Sequence, residues 1–298
     1  MATGFVIAGC RGQLGVALTR RLAERDDCEL LAGVDLPELD VADPAAVAAL
    51  LGGLPRRPDV VVNAAAYTHV DRCEREPEAA RRANATAPGV LAEACARIGS
   101  RLVHLSTDYV FAGDADRPYT EDDPPAPRST YGHTKLEGER RVQAVSSDFL
   151  IVRTSWLFGR GRNFLAAIVA QAQTRRRGET GGPLRVVDDQ RGRPTWADDL
   201  AAGILALLEA RAAGLYHLAG GGVASWWDVA RATLDEAGFS DLEVERAATS
   251  DLHLDAPRPA WSVLDCSRAE ALGIRLRPWR EAVAAYLRSP DSPLRTDA

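Results

Sequence analysis

Three glycines spaced Gly-x-x-Gly-x-x-Gly constrain the fold of this chain more than any other feature; they are Gly9, Gly12 and Gly15. An apolar run at 5–8 precedes them, and residues 16–22 have apolar side chains at helical spacing. Glycines between a strand and a helix permit a tight turn and let the backbone approach a pyrophosphate, which rests on the positive helix N-terminus. The pattern predicts the first strand–turn–helix unit of a parallel sheet that binds a dinucleotide.

A second apolar run, at 30–34, ends at Asp35, about 20 residues past the glycines, where an acid that faces the adenosine ribose is expected. This acid favours the free ribose hydroxyl of NAD. Arg11 is a cation inside the glycine turn and can reach the 2′-phosphate of NADP. We expect NADPH as the cofactor, with NADH as an alternative. A glycine-rich surface turn is the other interpretation, but these segments follow in the order that a nucleotide-binding unit needs.

Thr107, Tyr131 and Lys135 form a second pattern. Tyr131 and Lys135 are four residues apart, so a helix places both on one face. An ammonium beside a phenol lowers the pKa of the phenol from about 10, and the Thr107 hydroxyl can bind the same substrate oxygen. Tyr-x-x-x-Lys alone occurs by chance in many chains. Beside a nicotinamide-binding turn, it favours the interconversion of a ketone and an alcohol.

The chain resembles the dTDP-4-dehydrorhamnose reductase family, within the extended short-chain dehydrogenase/reductase superfamily, in eight segments. They are Gly-Cys-Arg-Gly-Gln-Leu-Gly at 9–15, Asn-Ala-Ala-Ala-Tyr-Thr-x-Val-Asp at 63–71, Ser-Thr-Asp-Tyr-Val-Phe at 106–111, Tyr-Gly-x-Thr-Lys at 131–135, Arg-Thr-Ser-Trp at 153–156, Asp-Gln-x-Gly-x-Pro-Thr at 189–195, Arg-Pro-x-x-Ser-x-Leu-Asp at 258–265 and Pro-Trp at 278–279. The similarity runs from about residue 5 to residue 287. These motifs are specific for the family but not for one sugar.

The resemblance implies an α/β fold, with a doubly wound Rossmann-type parallel sheet and a smaller C-terminal substrate-binding lobe. The dinucleotide-binding domain is expected over 1–156, with return segments near 190–220. The substrate-binding lobe is expected over 157–189 and 221–298.

The resemblance also implies roles for individual residues. Tyr131 is expected to protonate the developing alkoxide, Thr107 to hydrogen-bond it, and Lys135 to support the phenol and the nicotinamide ribose. The expected cofactor-binding residues are Gly9, Arg11, Gly12, Gln13, Leu14, Gly15, Asp35, Asp40, Val41, Ala64, Ala65, Ala66, Tyr67, Ser106 and Lys135. The expected substrate-binding residues are Thr68, Val70, Asp108, Tyr109, Trp156, Arg193 and Arg258. Core packing of Trp156 and surface salt bridges of the two arginines remain open alternatives.

The reaction that the resemblance implies is reduction of the C4 ketone of a dTDP-4-keto-6-deoxyhexose by NAD(P)H, giving dTDP-L-rhamnose. Related 4,6-dehydratases have Thr-Asp-Glu where this chain has Thr107-Asp108-Tyr109, so the base for eliminating water is missing. Two alternatives stay open: a 4-ketoreductase for another deoxysugar of secondary metabolism, and a non-catalytic regulatory binding subunit of the same fold. The Thr107, Tyr131 and Lys135 set disfavours the second.

Composition limits the partners. The 298 residues have 36 basic and 42 acidic side chains, and the net charge of −6 disfavours a nucleic-acid surface. No apolar run of membrane-spanning length is apparent. The five cysteines include no Cys-x-x-Cys pair, which favours a reducing cytoplasm without disulfides or structural zinc. A homodimer is compatible with the resemblance. Val16 and Ala17 stand where some members have an acidic residue for a metal between subunits, so no metal is expected.

Overall fold

A parallel sheet of six strands forms the centre of the protein, in a computed structural model that describes residues 2–294. Residue 1 of the predicted dinucleotide-binding domain and residues 295–298 of the predicted second lobe lie outside the described residues.

The strands of the described residues are β1 Thr3–Ala8, β2 Cys28–Val34, β3 Val60–Asn63, β4 Arg101–Thr107, β5 Phe149–Thr154, β6 Leu157–Phe158, β7 Leu184–Val187, β8 Arg191–Gly192, β9 Thr195–Trp196, β10 Gly214–His217, β11 Ala224–Ser225 and β12 Val244–Ala247. The α-helices are α1 Gln13–Ala23, α2 Pro44–Gly52, α3 Val70–Arg75, α4 Pro77–Arg81, α5 Ala87–Ile98, α6 Thr130–Val145, α7 Phe164–Arg176, α8 Ala197–Glu209, α9 Trp226–Glu236, α10 Ser267–Glu270 and α11 Trp279–Arg288. A π-helical turn, Arg82–Thr86, follows α4, and 3₁₀ turns lie at Asp108–Val110 and Thr249–Asp251.

The order of the strands in the central sheet is β2-β1-β3-β4-β5-β10, and every pairing is parallel. β2 lies on one side of β1 and β3 lies on the other, so the winding of the chain reverses at β1. Ligands of open α/β sheets bind at such a switch point, beyond the carboxyl ends of the strands. The segments that follow β1, β3 and β4 meet at this edge.

Helices cover both faces of the sheet. On β1, Phe5 and Ile7 pack in the core under α1 and α8, whereas Val6 and Ala8 pack in the core under α2, α5 and α6. Because both faces are buried, the strands are continuous apolar runs rather than alternating ones. The predicted doubly wound, Rossmann-type parallel sheet is confirmed.

Local sequence signals set the ends of several helices. Asp43 caps α2, since its carboxylate accepts the Ala45 N–H at 2.9 Å, and Pro44 occupies the first helical position. Ser129 caps α6 by accepting the Gly132 N–H at 3.1 Å. This cap fixes the start of the helix that carries Tyr131.

A smaller group of elements packs beside the sheet. α7, α9 and α11 pack together there, and α9 also contacts the parallel pair of β7 and β12. Their buried side chains form two apolar clusters separate from the cores of the sheet. α8 and β10 instead pack on α1 and β5 of the main unit. The residue boundaries of the two lobes stay a prediction.

Among residues 2–294, no helix is both long enough and apolar enough to cross a membrane.

Candidate active site

Two cavities adjoin at the carboxyl edge of the sheet. The smaller, of about 210 Å³, lies between the glycine turn, the end of β2 and the loop after β3. The larger, of about 530 Å³, lies over the ends of β4 and β5 and the start of α6. Gly12, Ala64 and Ala66 line both cavities, so one extended ligand can occupy the two.

The backbone of the glycine turn lies so close to other backbone atoms that side chains at two of its positions would clash with them. Gly9 has a φ of +80°, and a Cβ on it would lie 2.5 Å from the Ala65 backbone nitrogen. A Cβ on Gly15 would lie 2.1 Å from the Gly9 carbonyl oxygen. Gly12 is the N-cap residue of α1, and no side chain caps this helix. Because uncapped N–H groups at a helix N-terminus bind anions, the turn fits a dinucleotide pyrophosphate.

The smaller cavity gathers the residues predicted for the adenosine side. Its lining includes Gly9, Gly12, Asp35, Asp40, Val41, Ala64, Ala65, Ala66 and Tyr67. Asn84 of the π-helical turn holds the loop in place, since it accepts the Tyr67 N–H at 2.8 Å and donates to the Tyr67 carbonyl at 3.1 Å. Asn84 was not predicted, because no local pattern marks an amide that binds a loop 17 residues away.

Arg11 is not among the residues that line the smaller cavity. Its guanidinium pairs with Glu38 at 2.5 Å and donates to the Leu36 carbonyl at 3.3 Å. The Asp35 carboxylate accepts the Arg11 N–H at 3.0 Å and the Leu36 N–H at 2.9 Å. Asp35 therefore ties the glycine turn to the segment after β2. The sequence predicted that Asp35 favours NAD and that Arg11 favours NADP. The structure adds a third charged side chain, Glu38, to this choice of cofactor.

The larger cavity brings the three predicted catalytic residues together. Thr107 ends β4, Tyr131 and Lys135 lie in the first two turns of α6, and all three line the cavity. Other predicted residues in its lining are Gln13, Leu14, Thr68, Val70, Ser106, Asp108, Tyr109 and Trp156. Gly132 lets α6 approach this edge, since a Cβ on it would lie 2.2 Å from the Tyr109 carbonyl oxygen.

Burial dominates the pKa of the Tyr131 phenol. It raises this pKa well above the ordinary value, although hydrogen bonding by Thr107 opposes the rise. Lys135 Nζ donates to the Leu105 carbonyl oxygen at 2.5 Å, and burial lowers the pKa of Lys135 to about 8. The expectation that Lys135 lowers the phenol pKa is therefore wrong in this structure. The phenol stays protonated at neutral pH, which is the form that a proton donor needs.

The Thr107 hydroxyl lies beside an unusual acid. It donates to Asp108 Oδ1 at 3.0 Å and accepts the Tyr109 N–H at 3.2 Å. Burial raises the pKa of Asp108 to about 6, although hydrogen bonds, including the one from Thr107, favour the charged form. Asp108 Oδ2 is buried without a hydrogen-bond partner among the described residues.

Aromatic rings form a wall of the larger cavity. Tyr109 packs edge-on against Tyr131, with ring centroids 5.6 Å apart. Trp156, which has a left-handed φ of 49°, stacks on Trp226 with centroids 3.7 Å apart. Trp226 is the first residue of α9 and was not predicted, because it belongs to no motif that the sequence displays. The cavity therefore lies between the main unit and the smaller group of elements.

The structure does not bring the two predicted arginines to the cavity. Arg193 donates to the carbonyl oxygens of Gly220 and Leu264 at 2.6 and 2.7 Å. Arg258 pairs with Asp71 at 2.6 Å. Neither side chain is in the lining of the larger cavity. Both guanidiniums join distant segments of the fold, which favours the salt-bridge alternative for Arg258 and a structural role for Arg193.

A buried ion pair lies next to the catalytic candidates and was not predicted. Glu139 follows Lys135 by one turn of α6 and accepts two hydrogen bonds from the Arg153 guanidinium, at 2.8 and 2.7 Å. The Arg153 and Glu139 side chains are 3% and 1% exposed. Ser106 also donates to Glu139. The position of Glu139 could have been recognised in the sequence, since a glutamate four residues after Lys135 lies on the same face of the helix.

The chain is similar in sequence and in fold to known proteins. The chain is 40% identical over 294 residues to the dTDP-4-dehydrorhamnose reductase of Mycobacterium tuberculosis, covering 96% of this chain and 93% of the relative. It is 43% identical over 285 residues to the probable dTDP-4,6-dihydroxy-2-methyloxan-3-one 4-ketoreductase of Streptomyces antibioticus, covering 94% and 92%. The crystal structure of dTDP-4-dehydrorhamnose reductase from Bacillus anthracis in complex with NADP has a TM-score of 0.88 and 31% identity, covering 96% and 98%.

The family model described as RmlD substrate binding domain matches residues 3–291. Because this match spans almost the whole chain, and these relatives match at least 94% of it, the protein belongs to the RmlD family.

Proposed function

We propose that this protein is an oxidoreductase that uses NADPH to reduce the C4 ketone of a dTDP-4-keto-6-deoxyhexose, with dTDP-4-dehydrorhamnose as substrate and dTDP-L-rhamnose as product. The observation that carries the proposal is the meeting of Thr107, Tyr131 and Lys135 in one cavity that adjoins the smaller cavity beside the glycine turn. The names of the relatives from M. tuberculosis and B. anthracis support the same reaction.

The cofactor proposal rests on two observations. The glycine turn and the uncapped start of α1 fit a pyrophosphate. The related reductase from B. anthracis was solved with NADP. NADH is the second cofactor that we propose, because Asp35 directly follows β2, where a carboxylate can accept hydrogen bonds from ribose hydroxyls.

When bound, the reduced nicotinamide supplies a hydride to the ketone carbon. Tyr131 then donates its phenolic proton to the alkoxide oxygen that develops. Burial raises the pKa of the phenol, so Tyr131 is protonated before the reaction. Thr107 lies within the same cavity and orients the carbonyl oxygen. Lys135, held by the Leu105 carbonyl, places positive charge beneath the site and stabilises the negative charge that the phenol acquires.

Tyr109 supports simple reduction over dehydration. Eliminating water requires a base at the carbon beside the carbonyl. Burial and the charge of Asp108 raise the pKa of Tyr109 far above neutrality, so this phenol does not act as a base near pH 7. Asp108 is the neighbouring carboxylate, and its Oδ1 accepts the Thr107 hydroxyl at 3.0 Å.

A second candidate function is the same ketone reduction on a different deoxysugar of secondary metabolism. The identity of 43% to the Streptomyces antibioticus ketoreductase favours it, since this value is at least as high as the 40% shared with the M. tuberculosis enzyme. A non-catalytic regulatory subunit has less support, because a protein that catalyses no reaction does not require all three catalytic candidates in one cavity.

We further propose a cytoplasmic enzyme that works alone or as a homodimer. The support is its substrate class, since nucleotide sugars and NADPH are metabolites of the cell interior. All five cysteines are free thiols, which suits a reducing compartment. Binding of the enzyme to nucleic acid or to membranes is not part of the proposal.

The test is a stoichiometric assay of the purified protein. NADPH absorbance is followed with dTDP-4-dehydrorhamnose and with other nucleotide-linked 4-ketosugars, and the products are identified by NMR. One NADPH should be consumed for each sugar reduced, because no oxidation step within the reaction regenerates it.

The control substrate is dTDP-glucose, which carries no ketone. It should remain unchanged and consume no NADPH. Formation of a 4-keto-6-deoxy sugar from dTDP-glucose would overturn the reductase assignment. Faster turnover of another 4-ketosugar than of dTDP-4-dehydrorhamnose would favour the second candidate function.

A further inference from the structure

We propose that Glu38 is a specificity-determining residue for the cofactor, because its carboxylate competes with a ribose 2′-phosphate for the Arg11 guanidinium. The proposal rests on the proposed function only in assuming that the groove binds a nicotinamide dinucleotide. Neither Glu38 nor its pairing with Arg11 follows from the glycine motif.

The geometry of the segment after β2 carries the inference. Arg11 belongs to the glycine turn, yet its Nη2 lies 2.5 Å from Glu38 Oε1 and its Nη1 lies 3.3 Å from the Leu36 carbonyl oxygen. Two contacts thus direct the same guanidinium toward the segment 36–38. Asp35, Leu36 and Leu39, which lie in or next to this segment, line the smaller cavity. The Arg11–Glu38 pair therefore lies at the rim where a ribose would meet the end of β2.

The charges at this rim disfavour a phosphate. The segment from 35 to 40 holds three carboxylates, Asp35, Glu38 and Asp40. Arg11 pairs with Glu38, and Arg82 pairs with Asp40 at 2.6 Å. Hydrogen bonding from Arg11 lowers the pKa of Glu38, which keeps this carboxylate charged at neutral pH. A 2′-phosphate must therefore compete with a carboxylate for the guanidinium that would bind it.

The competition is modest because both partners are exposed. The side chains of Arg11 and Glu38 are 60% and 57% exposed, and exposed ion pairs are weak. Glu38 therefore adjusts cofactor preference rather than forbidding NADPH. An enzyme with this pair should bind NADPH and NADH with similar affinities, whereas an unpaired Arg11 would favour NADPH.

The experiment measures dissociation constants of NADPH and NADH by calorimetry, without sugar substrate. The proteins are the wild type, Glu38→Gln, Arg11→Ala and the double variant. Glu179→Gln is the matched control, since Glu179 is 52% exposed and pairs with Arg177 far from the cofactor groove. Glu38→Gln should bind NADPH about two- to fivefold more tightly, with NADH unchanged within about twofold. Glu179→Gln should bind both as the wild type does.

The double variant tests the mechanism. If Glu38 acts through Arg11, adding Glu38→Gln to Arg11→Ala should leave the NADPH affinity unchanged. A gain of the same size in both backgrounds would overturn the inference, because it would reflect direct repulsion between Glu38 and the phosphate. An unchanged ratio of the two dissociation constants in Glu38→Gln would also overturn it. If the wild type bound neither dinucleotide, the proposed function itself would fail, which is a distinct result.

Discussion

At the scale of single residues, the site depends on where protons reside. Tyr131 is half-buried, desolvation at this position raises its pKa, and Thr107 is the polar group that favours its charged form. A phenol that keeps its proton at neutral pH cannot act as a base, but it can donate to an alkoxide, which is far more basic. The phenol is therefore in the protonated form that reduction of a ketone requires.

The variant Tyr131→Phe tests this role. It removes the proton donor and keeps the ring that packs edge-on against Tyr109. We expect kcat to fall by about 10²–10⁴. The affinity for NADPH, measured by calorimetry, should remain as in the wild type. Turnover close to that of the wild type would show that another group supplies the proton.

At the scale of elements, α6 organises the site. Tyr131, Lys135 and Glu139 follow at intervals of four, so they lie along one face of the helix. The helix begins at the Ser129 cap and packs closely on the turn after β4, where Gly132 meets the Tyr109 carbonyl. The Glu139–Arg153 pair then fastens this helix to β5.

A double-mutant cycle tests how much the Glu139–Arg153 ion pair contributes to the free energy of unfolding. Glu139→Met should reduce the free energy of unfolding by about 3–5 kcal/mol, because it leaves the buried Arg153 charge without its partner. The double variant, Glu139→Met with Arg153→Met, should lose clearly less than the sum of the two single variants, since it leaves no unpaired charge. Urea unfolding followed by circular dichroism measures the wild type, the two single variants and the double variant. Additive losses, or a loss below about 1 kcal/mol for Glu139→Met, would contradict the assigned role of the pair.

At the scale of the whole molecule, the larger cavity lies between two groups of elements. The end of β4 supplies Thr107, the segment between β5 and β6 supplies Trp156, and α9 supplies Trp226. The stacked indoles of Trp156 and Trp226 join the two sides, and Phe164 packs on Trp226 with centroids 4.6 Å apart. The shape of the sugar pocket therefore depends on how these two groups pack.

The variant Trp226→Leu tests this wall. It keeps an apolar side chain but removes the stacking, so the KM for the 4-ketosugar should rise by about three- to tenfold. The dissociation constant of NADPH should change less than this KM, because Trp226 lines the larger cavity but not the smaller one beside the glycine turn. Steady-state kinetics and calorimetry measure the two quantities.

Trp227→Leu is the matched control, since Trp227 is the next residue of α9 and donates instead to the Val244 carbonyl at 3.0 Å. Its KM for the sugar should remain at the wild-type value. Equal changes in the two variants would mean that α9 as a whole, and not the indole stack, affects the sugar pocket.

The sequence by itself determined the fold class, the glycine turn and the grouping of Thr107, Tyr131 and Lys135. These features depend on short-range rules: a buried strand is an apolar run, glycine permits a turn, and residues four apart share a helix face. Parallel strands need crossover connections, and their carboxyl ends meet at one edge of the sheet. This edge collects most of the predicted site residues without further information.

Only the tertiary structure decided the partners of the charged side chains. Arg258 meets Asp71 across 187 residues of chain, and Arg11 meets Glu38 rather than the open cavity. The same holds for the pKa of Tyr131, which burial raises although its helical neighbour is a lysine. Desolvation and ion pairing depend on atoms that distant segments bring together, and a local pattern does not contain those atoms.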